Sequence, residues 1–467
     1  MENKYTKEQL NFIEFGGPES VILSATAGSG KTHSTVGRLN HLLENGVDPS
    51  RIIFFSFTND AVNELRNRID GQVKITTIHS FTSSVLGKLG KFKPIVTFYD
   101  FISWYRDNMK PSFKEPKSVR EQYYGNLERF YEDGSSISSS FSSYKLQFYD
   151  GVKSPKPNFY EYYTAFLKAT NSRDFSDMLI DTEKLSKDPN HKGFFNGMYD
   201  YIFIDEYQDT STLQMKILLA INAKQYYIIG DKNQSIYGFS GANCSKIESL
   251  LKEKKTVVEL TLTKNFRSHK KIVENANKYS SLEAIPESKN DGFVDDKFIN
   301  KTKLFSMMGD GKPLTVLART NKVIKDIEKR CFKKKLPLKY FNYLTKTDID
   351  RITKGDMTDS IKKKIRDILP YYGKDVNQLL EFIESNKDSE VFITSIHKSK
   401  GREFPRCVVV NSSDPEMLLE HGSMTHDLDE YSFITNDGLL IEESRNVHYV
   451  AVTRPKEELY FMIYDDV

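Results

Sequence analysis

The sequence predicts an α/β fold: two parallel-sheet domains in tandem, each interrupted by a mostly helical insertion. Three observations lead there. Short apolar runs alternate with longer amphipathic stretches along the 467 residues. The runs fall into two sets, and the alternation is broken once within each set. A chain of this length also exceeds one ordinary compact core, which makes two or more domains the expectation.

The first set of runs is "SVILSA" (20–25), "RIIFFSFT" (51–58), "VKITTIHSF" (73–81), "YIFIDE" (201–206), "YYIIGD" (226–231) and "TVVELTL" (256–262). The second is "LTVLART" (314–320), "VFITSIHK" (391–398), "RCVVVNSS" (406–413) and "ELYFMIYD" (458–465). Strands separated by helices pair in parallel, and helices then cover both faces of the sheet. The breaks are residues of about 90–172, rich in aromatics, Lys and Ser, and about 335–390, rich in Lys and Asp. Both have helical spacing. Within the first, "SSISSSFSSY" (135–144) reads as a mobile loop or linker, because serine-rich runs have little to bury. No repeat of solenoid period is present.

Composition narrows the function classes. The formal net charge is +3, so any phosphate partner must be met by a local basic surface. The chain carries 31 Phe and 26 Tyr; most of these rings must be core, and some can serve as stacking platforms. Cys244, Cys331 and Cys407 lie too far apart for metal-ligand spacing or a disulfide framework. The start, "MENKYTKEQL", is too polar for a signal peptide, and runs such as "IIFF" are too short to span a bilayer. A cytoplasmic protein without membrane contact is expected.

The chemistry begins at "ATAGSGKT" (25–32), between a strand and a helical stretch. Glycines let backbone N–H groups approach phosphate, and the helix N-terminus adds favourable dipole charge. Ala27, Gly28, Ser29 and Gly30 are expected to cradle phosphates, Lys31 to reach the β/γ-phosphates and Thr32 to ligate Mg²⁺. Ala25 stands where the general pattern has its first glycine. "YIFIDEYQD" (201–209) ends a second strand with two acids. Asp205 can hold Mg²⁺ and Glu206 can deprotonate the attacking water, so the pair with the loop describes an NTP hydrolase. Hydrolysis needs positive charge on its transition state, and Arg267 in "TKNFRS" and Arg454 in "HYVAVTRPKEEL" are candidates.

These segments belong to a longer ordered series. It comprises "TKEQL", "AGSGKT", "FTNDAVNEL" (57–65), "TTIHSF" (76–81), "RDFSDML" (173–179), "DEYQD", "GDKNQSIYGFSGA" (230–242), "NFRS", "LARTN" (317–321), "TSIHKSKGREF" (394–404) and "EESRNVHYVAVTR" (442–454). In this order the series resembles the superfamily 1A DNA helicases of the UvrD/Rep/PcrA type. The resemblance implies two RecA-like domains with ATP between them: 1–90 plus 173–262, and 263–334 plus 391–467. The insertions 91–172 and 335–390 would be domains 1B and 2B. It further implies a monomeric motor that moves 3′→5′ on single-stranded DNA, unwinds duplex at junctions, and works with a replication or repair partner.

The resemblance also assigns residues. Gln9 would read adenine and Phe266, where the family often has Tyr, would stack on it. Gln234 would sense the γ-phosphate, Glu403 would contact the ribose, and Arg267 and Arg454 would be arginine fingers. Phe57, Tyr237 and Phe239 would stack on DNA bases. Asn59, His79, Arg319, Asn321 and His397 would contact the DNA backbone or link it to the ATP site.

The chain departs from the family in places. Phe239-Ser240 replaces the usual Trp-Arg, Arg402 replaces an aliphatic residue, and only Arg445 of an arginine pair is kept. The 335–390 insertion is far smaller than the family's 2B domain. Two alternatives therefore stay open: an ATPase that remodels protein–nucleic acid complexes without processive unwinding, and a helicase acting on RNA.

Overall fold

The computed structural model describes residues 5–69, 73–149, 151–238, 242–339, 346–355, 359–372, 375–410 and 437–464. The described residues gather into two units, one drawn from 1–24 and 31–261, the other from 25–30 and 262–467.

In the first unit the apolar runs become β1 (Ser20–Ala25), β2 (Ile52–Phe55), β3 (Lys74–Thr76), β4 (Tyr201–Asp205), β5 (Gln225–Gly230) and β6 (Val257–Leu262). They form one sheet in the order β3-β2-β4-β5-β1-β6. The pairs β3–β2, β2–β4, β4–β5 and β5–β1 are parallel, with Phe55 beside Thr76, Ile53 beside Ile202, Tyr201 beside Gln225 and Val21 beside Tyr227. Every residue of β2 and β5 is buried, as strands covered on both faces require. Rings of Phe54, Phe203 and Tyr227 stack across three strands, with centroids 5.8 and 4.6 Å apart. Arg38, in the helix Lys31–Glu44, is buried against this stack and donates 2.7 Å to the Tyr227 hydroxyl. That bond fixes the helix that follows Gly30 to the sheet beneath it.

The helical insertion leaves and re-enters this unit at one point. Val96 N donates to Arg173 O and Arg173 N to Pro94 O, closing its neck. Its own core is aromatic: Phe101, Tyr105, Tyr123, Phe130, Phe141, Tyr163 and Phe166 are all buried. Lys145 pins it down, its Nζ lying 2.8 Å from both Asp174 and Asp177 of the returning chain.

The serine-rich run is not a loop. Residues 135–144 lie inside a single helix, Lys117–Tyr149. Tyr123, Leu127, Phe130, Ile137 and Phe141 recur at intervals of three, four and seven and face the aromatic core. Serine is only a mildly poor helix former, and burial of that stripe outweighs its preference for loops.

In the second unit, β7 (Lys264–Asn265) pairs with β8 (Ile285–Pro286), and a five-stranded sheet follows. Its strands are β9 (Phe293–Phe298), β10 (Leu314–Ala318), β11 (Val391–Ser395), β12 (Phe404–Val410) and β13 (Pro455–Met462), ordered β11-β10-β12-β13-β9 with parallel neighbours. β9 was absent from the expected runs because "FVDDKF" carries two aspartates, tolerable on a sheet edge. Helices Lys346–Thr353, Asp359–Ile368 and Val376–Ser385 occupy the second insertion. Their Ile352, Ile361, Ile365, Ile368 and Leu379 share one core with Val316, Val391 and Val408 of the sheet. The described part of this insertion thus packs on the sheet and has no separate core.

Candidate functional site

Parallel sheets place ligands beyond the carboxyl ends of their strands, where loops leave the sheet and helix N-termini arrive. Apart from Gln9, which lies ahead of β1, the candidate residues of the first unit lie there. Lys31 and Thr32 open the helix Lys31–Glu44, in the segment after β1. Asp205 and Glu206 end β4, and Gln234 follows β5. In the sequence these groups are scattered, but β4, β5 and β1 are neighbours in the sheet.

The geometry of this cluster is specific. Lys31 Nζ lies 3.6 Å from Glu206 Oε1. Glu206 has a left-handed backbone, φ 51° and ψ 45°, which costs a non-glycine residue about 1 kcal/mol. Its N–H donates 3.0 Å to Asp205 Oδ1, which supports that turn. Gln208 Nε2 donates to the Glu206 carboxylate, and Gln208 Oε1 accepts from Asp231 N at 3.2 Å. Gln234 Nε2 in turn donates 2.8 Å to Asp231 Oδ2. Desolvation and the neighbouring Glu206 charge push the Asp205 carboxyl up to about 7, against the opposing effect of Lys31. Such a carboxylate suits a divalent cation, which would restore its ionised form. No group of three or more His, Cys, Asp or Glu among the described residues is arranged to hold a metal unaided.

Ala25–Gly30 group with the second unit. Gly28 and Gly30 have φ of +73° and +80°, open to glycine and rare elsewhere. Gly28 is also required by proximity: a Cβ there would lie 2.7 Å from Arg267 Cβ. Thr26 N donates to Leu262 O and Phe266 N to Gly28 O. The buried Asn265 side chain donates 2.7 Å to Ala27 O and accepts from Arg267 N and Ser268 N, both at 2.9 Å. Ser29 Oγ donates to Thr26 O. Asn265 was not among the expected site residues, although it stands in the quoted "NFRS".

Other expected nucleotide residues have the following surroundings. Phe266 presents an exposed ring, as stacking on a flat ligand needs. Arg267 Nε donates 2.8 Å to Glu403, which also pairs with Lys456. Arg454 is 1% exposed, donating to Val450 O, Arg402 O and Thr453 Oγ1. Gln9 is buried and its Oε1 accepts from Thr6 N, within the capping box of the helix Lys7–Ile13.

The expected DNA residues also follow strand ends. Phe57 and Asn59 come after β2, His79 after β3, Tyr237 after β5, Arg319 and Asn321 after β10, and His397 after β11. Phe57 and Tyr237 stack at 5.5 Å with their planes 25° apart, although β4 separates their strands. His79 meets the exposed Phe175 edge-on at 5.3 Å, and desolvation holds its pKa below the ordinary imidazole value. Asn59 and Asn321 are exposed at the first positions of their helices. Arg319 donates to Ser444 Oγ at 3.4 Å, and His397 is half-buried. Phe239 lies outside the described residues.

No described helix is long and apolar enough to cross a membrane. Residues 5–255 match the UvrD/REP helicase N-terminal domain, and residues 344–466 match the UvrD-like helicase C-terminal domain. The ATP-dependent DNA helicase Rep of Buchnera aphidicola subsp. Baizongia pistaciae is 27% identical over 343 residues, covering 68% of this chain and 47% of that protein. The ATP-dependent DNA helicase PcrA of Leuconostoc citreum is 31% identical over 281 residues, 55% of this chain and 36% of the relative. The PcrA of Bacillus subtilis is 29% identical over 274 residues, with 55% and 37% covered. The aligned regions span about half or less of the length of these relatives.

Proposed function

Since this chain belongs to the UvrD/REP helicase family, we propose that it is an ATP-dependent DNA helicase that translocates 3′→5′ on single-stranded DNA. The observation that carries this reading is the meeting of Lys31, Asp205, Glu206 and the Gln234 turn at the ends of three adjacent parallel strands. A phosphate-binding lysine beside a carboxylate pair is what nucleotide hydrolysis requires.

In this reading Lys31 exchanges Glu206 for phosphate oxygens, and Glu206 takes the proton of the attacking water. Gln234 contacts the γ-phosphate. Arg267 gives up Glu403, and Arg454 its carbonyl partners, to offset the negative charge that develops on the transferred group. Mg²⁺, held by Thr32 and Asp205, would screen the phosphate charge. Gln9 and Phe266 recognise the base and Glu403 the ribose. Phe57, Tyr237 and Phe239 stack on DNA bases, while Asn59, His79, Arg319, Asn321 and His397 meet its backbone. The domains follow the boundaries expected from the resemblance, and the protein works in the cytoplasm as a monomer with a replication or repair partner.

The test is unwinding of 3′- and 5′-tailed duplexes side by side, with ATPase measured with and without single-stranded DNA. Displacement from the 3′ tail alone, with strongly stimulated hydrolysis, supports the reading. No stimulation by any nucleic acid defeats it. The second insertion, packed on the sheet core, favours one other reading: a DNA-stimulated ATPase that remodels complexes. Stimulated hydrolysis without strand displacement would select that one. RNA oligonucleotides in the same assay decide the nucleic acid.

A further inference from the structure

We propose that Gln208 is a positioning residue that transmits the state of the segment after β5 to the hydrolytic carboxylate Glu206. The inference rests on the hydrolase reading above and adds a residue which that reading did not use.

Gln208 is fully buried, beside the end of β5. Its amide is used at both ends: Nε2 donates to Glu206, and Oε1 accepts from Asp231 N. Asp231 caps the short turn Lys232–Gln234 through Asn233 N and accepts from Gln234 Nε2. The result is an unbroken line, Glu206–Gln208–Asp231–Gln234, whose last member lies three residues before Tyr237. A second tie runs alongside, with Ser235 Oγ donating 3.2 Å to the Gln208 carbonyl.

The residue type matters. A buried carboxylate oxygen needs a donor, and a buried backbone N–H needs an acceptor. Among side chains of this length, only an uncharged amide supplies both from one planar group. Glutamate would set a second carboxylate against Glu206, and leucine would satisfy neither partner. The site is also built around this side chain: a Cβ on Gly230 would run into Gln208 Oε1 and the Tyr207 ring. Gln208, Asp231 and Gln234 are 0%, 3% and 4% exposed, so the bonds among them are shielded from water that could replace them, and only the Glu206 end, 29% exposed, meets solvent. A shift of the Lys232–Gln234 turn therefore moves Asp231 N and, through Gln208, the orientation of the Glu206 carboxylate. Tyr237, the stacking ring of the same segment, gives single-stranded DNA the means to shift that turn.

The experiment uses the full chain carrying Gln208→Leu, Gln208→Glu, Gln234→Ala, or Gln208→Leu with Gln234→Ala. Affinities for a fluorescent ATP analogue and a thymidine oligonucleotide are measured with steady-state ATPase. Expected in both Gln208 variants are near wild-type affinities, an unchanged KM, and a kcat with oligonucleotide reduced about a hundredfold. The ratio of stimulated to unstimulated rate falls toward one, and Gln234→Ala, which also removes the γ-phosphate contact, costs less in the Gln208→Leu background than in the wild type. A folded Gln208 variant with the wild-type ratio, or fully additive losses in the double variant, overturns the proposal. If Gln208→Leu does not fold, the equal-sized Gln208→Glu decides it by the same ratio. A wild-type protein that oligonucleotides fail to stimulate overturns the hydrolase-motor reading along with this one, whereas retained stimulation in the variants overturns this one alone.

Discussion

Lys31 Nζ lies 3.6 Å from Glu206 Oε1, so the lysine expected to grip phosphate is paired with the carboxylate expected to activate water. Phosphate must compete with Glu206 for that lysine. An ion pair of this exposure is worth about 1 kcal/mol at most.

Glu206→Gln removes the competitor along with the base. ATP affinity should be retained or tightened up to about fivefold, while phosphate release falls about 10²–10⁴-fold. Titration with a fluorescent nucleotide and a single-turnover phosphate assay measure the two effects. Weakened binding would show that Glu206 supports the nucleotide instead of competing with it.

Asp205 carries an uncomfortable charge, since desolvation and Glu206 both raise its pKa. Asp205→Asn should raise the melting temperature measured without Mg²⁺ by a few degrees, a gain of order 1 kcal/mol. The same variant should lose Mg²⁺-dependent hydrolysis. A lower melting temperature would mean that the carboxylate is structurally required.

The Phe57–Tyr237 stack forms one aromatic surface. Alanine at either position should weaken single-stranded DNA binding by about 1–3 kcal/mol, with little dependence on base composition. Fluorescence anisotropy with homopolymers of different bases checks it. A loss confined to one homopolymer would argue for hydrogen-bonded readout of that base.

Arg406 grips Asp310 with two bonds of 2.7 and 2.8 Å, and that hydrogen bonding holds the Asp310 carboxyl below the usual carboxylate range. Its folded-state pKa is lowered, so its stabilisation is present above the ordinary carboxylate pKa and is lost as pH falls through the lowered value. Asp310→Asn should cost about 1–2 kcal/mol at pH 7, and the gap to wild type should close in acid. Urea unfolding across that pH range gives the answer. A gap independent of pH would place the cost elsewhere than in the ion pair.

Phe141, in the middle of the serine-rich helix, is 1% exposed. Phe141→Ala should destabilise the helical insertion by about 3–5 kcal/mol. Hydrogen exchange over residues 117–149 would detect it. A neutral outcome would restore the loop expected from composition.

Much of the fold was legible because apolar runs and glycine-rich turns are local. Ten of the strands coincide with the quoted runs, and Gly28 and Gly30 of the expected loop have positive φ. Misses came where packing overrides composition. The serines of 135–144 are helical because aromatic residues between them need a core, and the aspartates of β9 are tolerated at a sheet edge. Gln208 and Asn265 stood inside quoted motifs but could not be singled out, because their amides act on partners 23 and 238 residues away.

The sequence by itself determined which groups are present: a glycine-rich segment leading into Lys31, acids at the tip of β4, an amide after β5, and rings after β2 and β5. Only the tertiary structure decided which of them meet. β1 is followed in the chain by β2 and β3, yet pairs with β5, which brings Lys31 to Glu206 and leaves β2 and β3 at the side that carries Phe57 and His79. The physical reason is that side-chain pattern specifies a buried strand, whereas strand order depends on long-range backbone pairing and on the helices that cross over it.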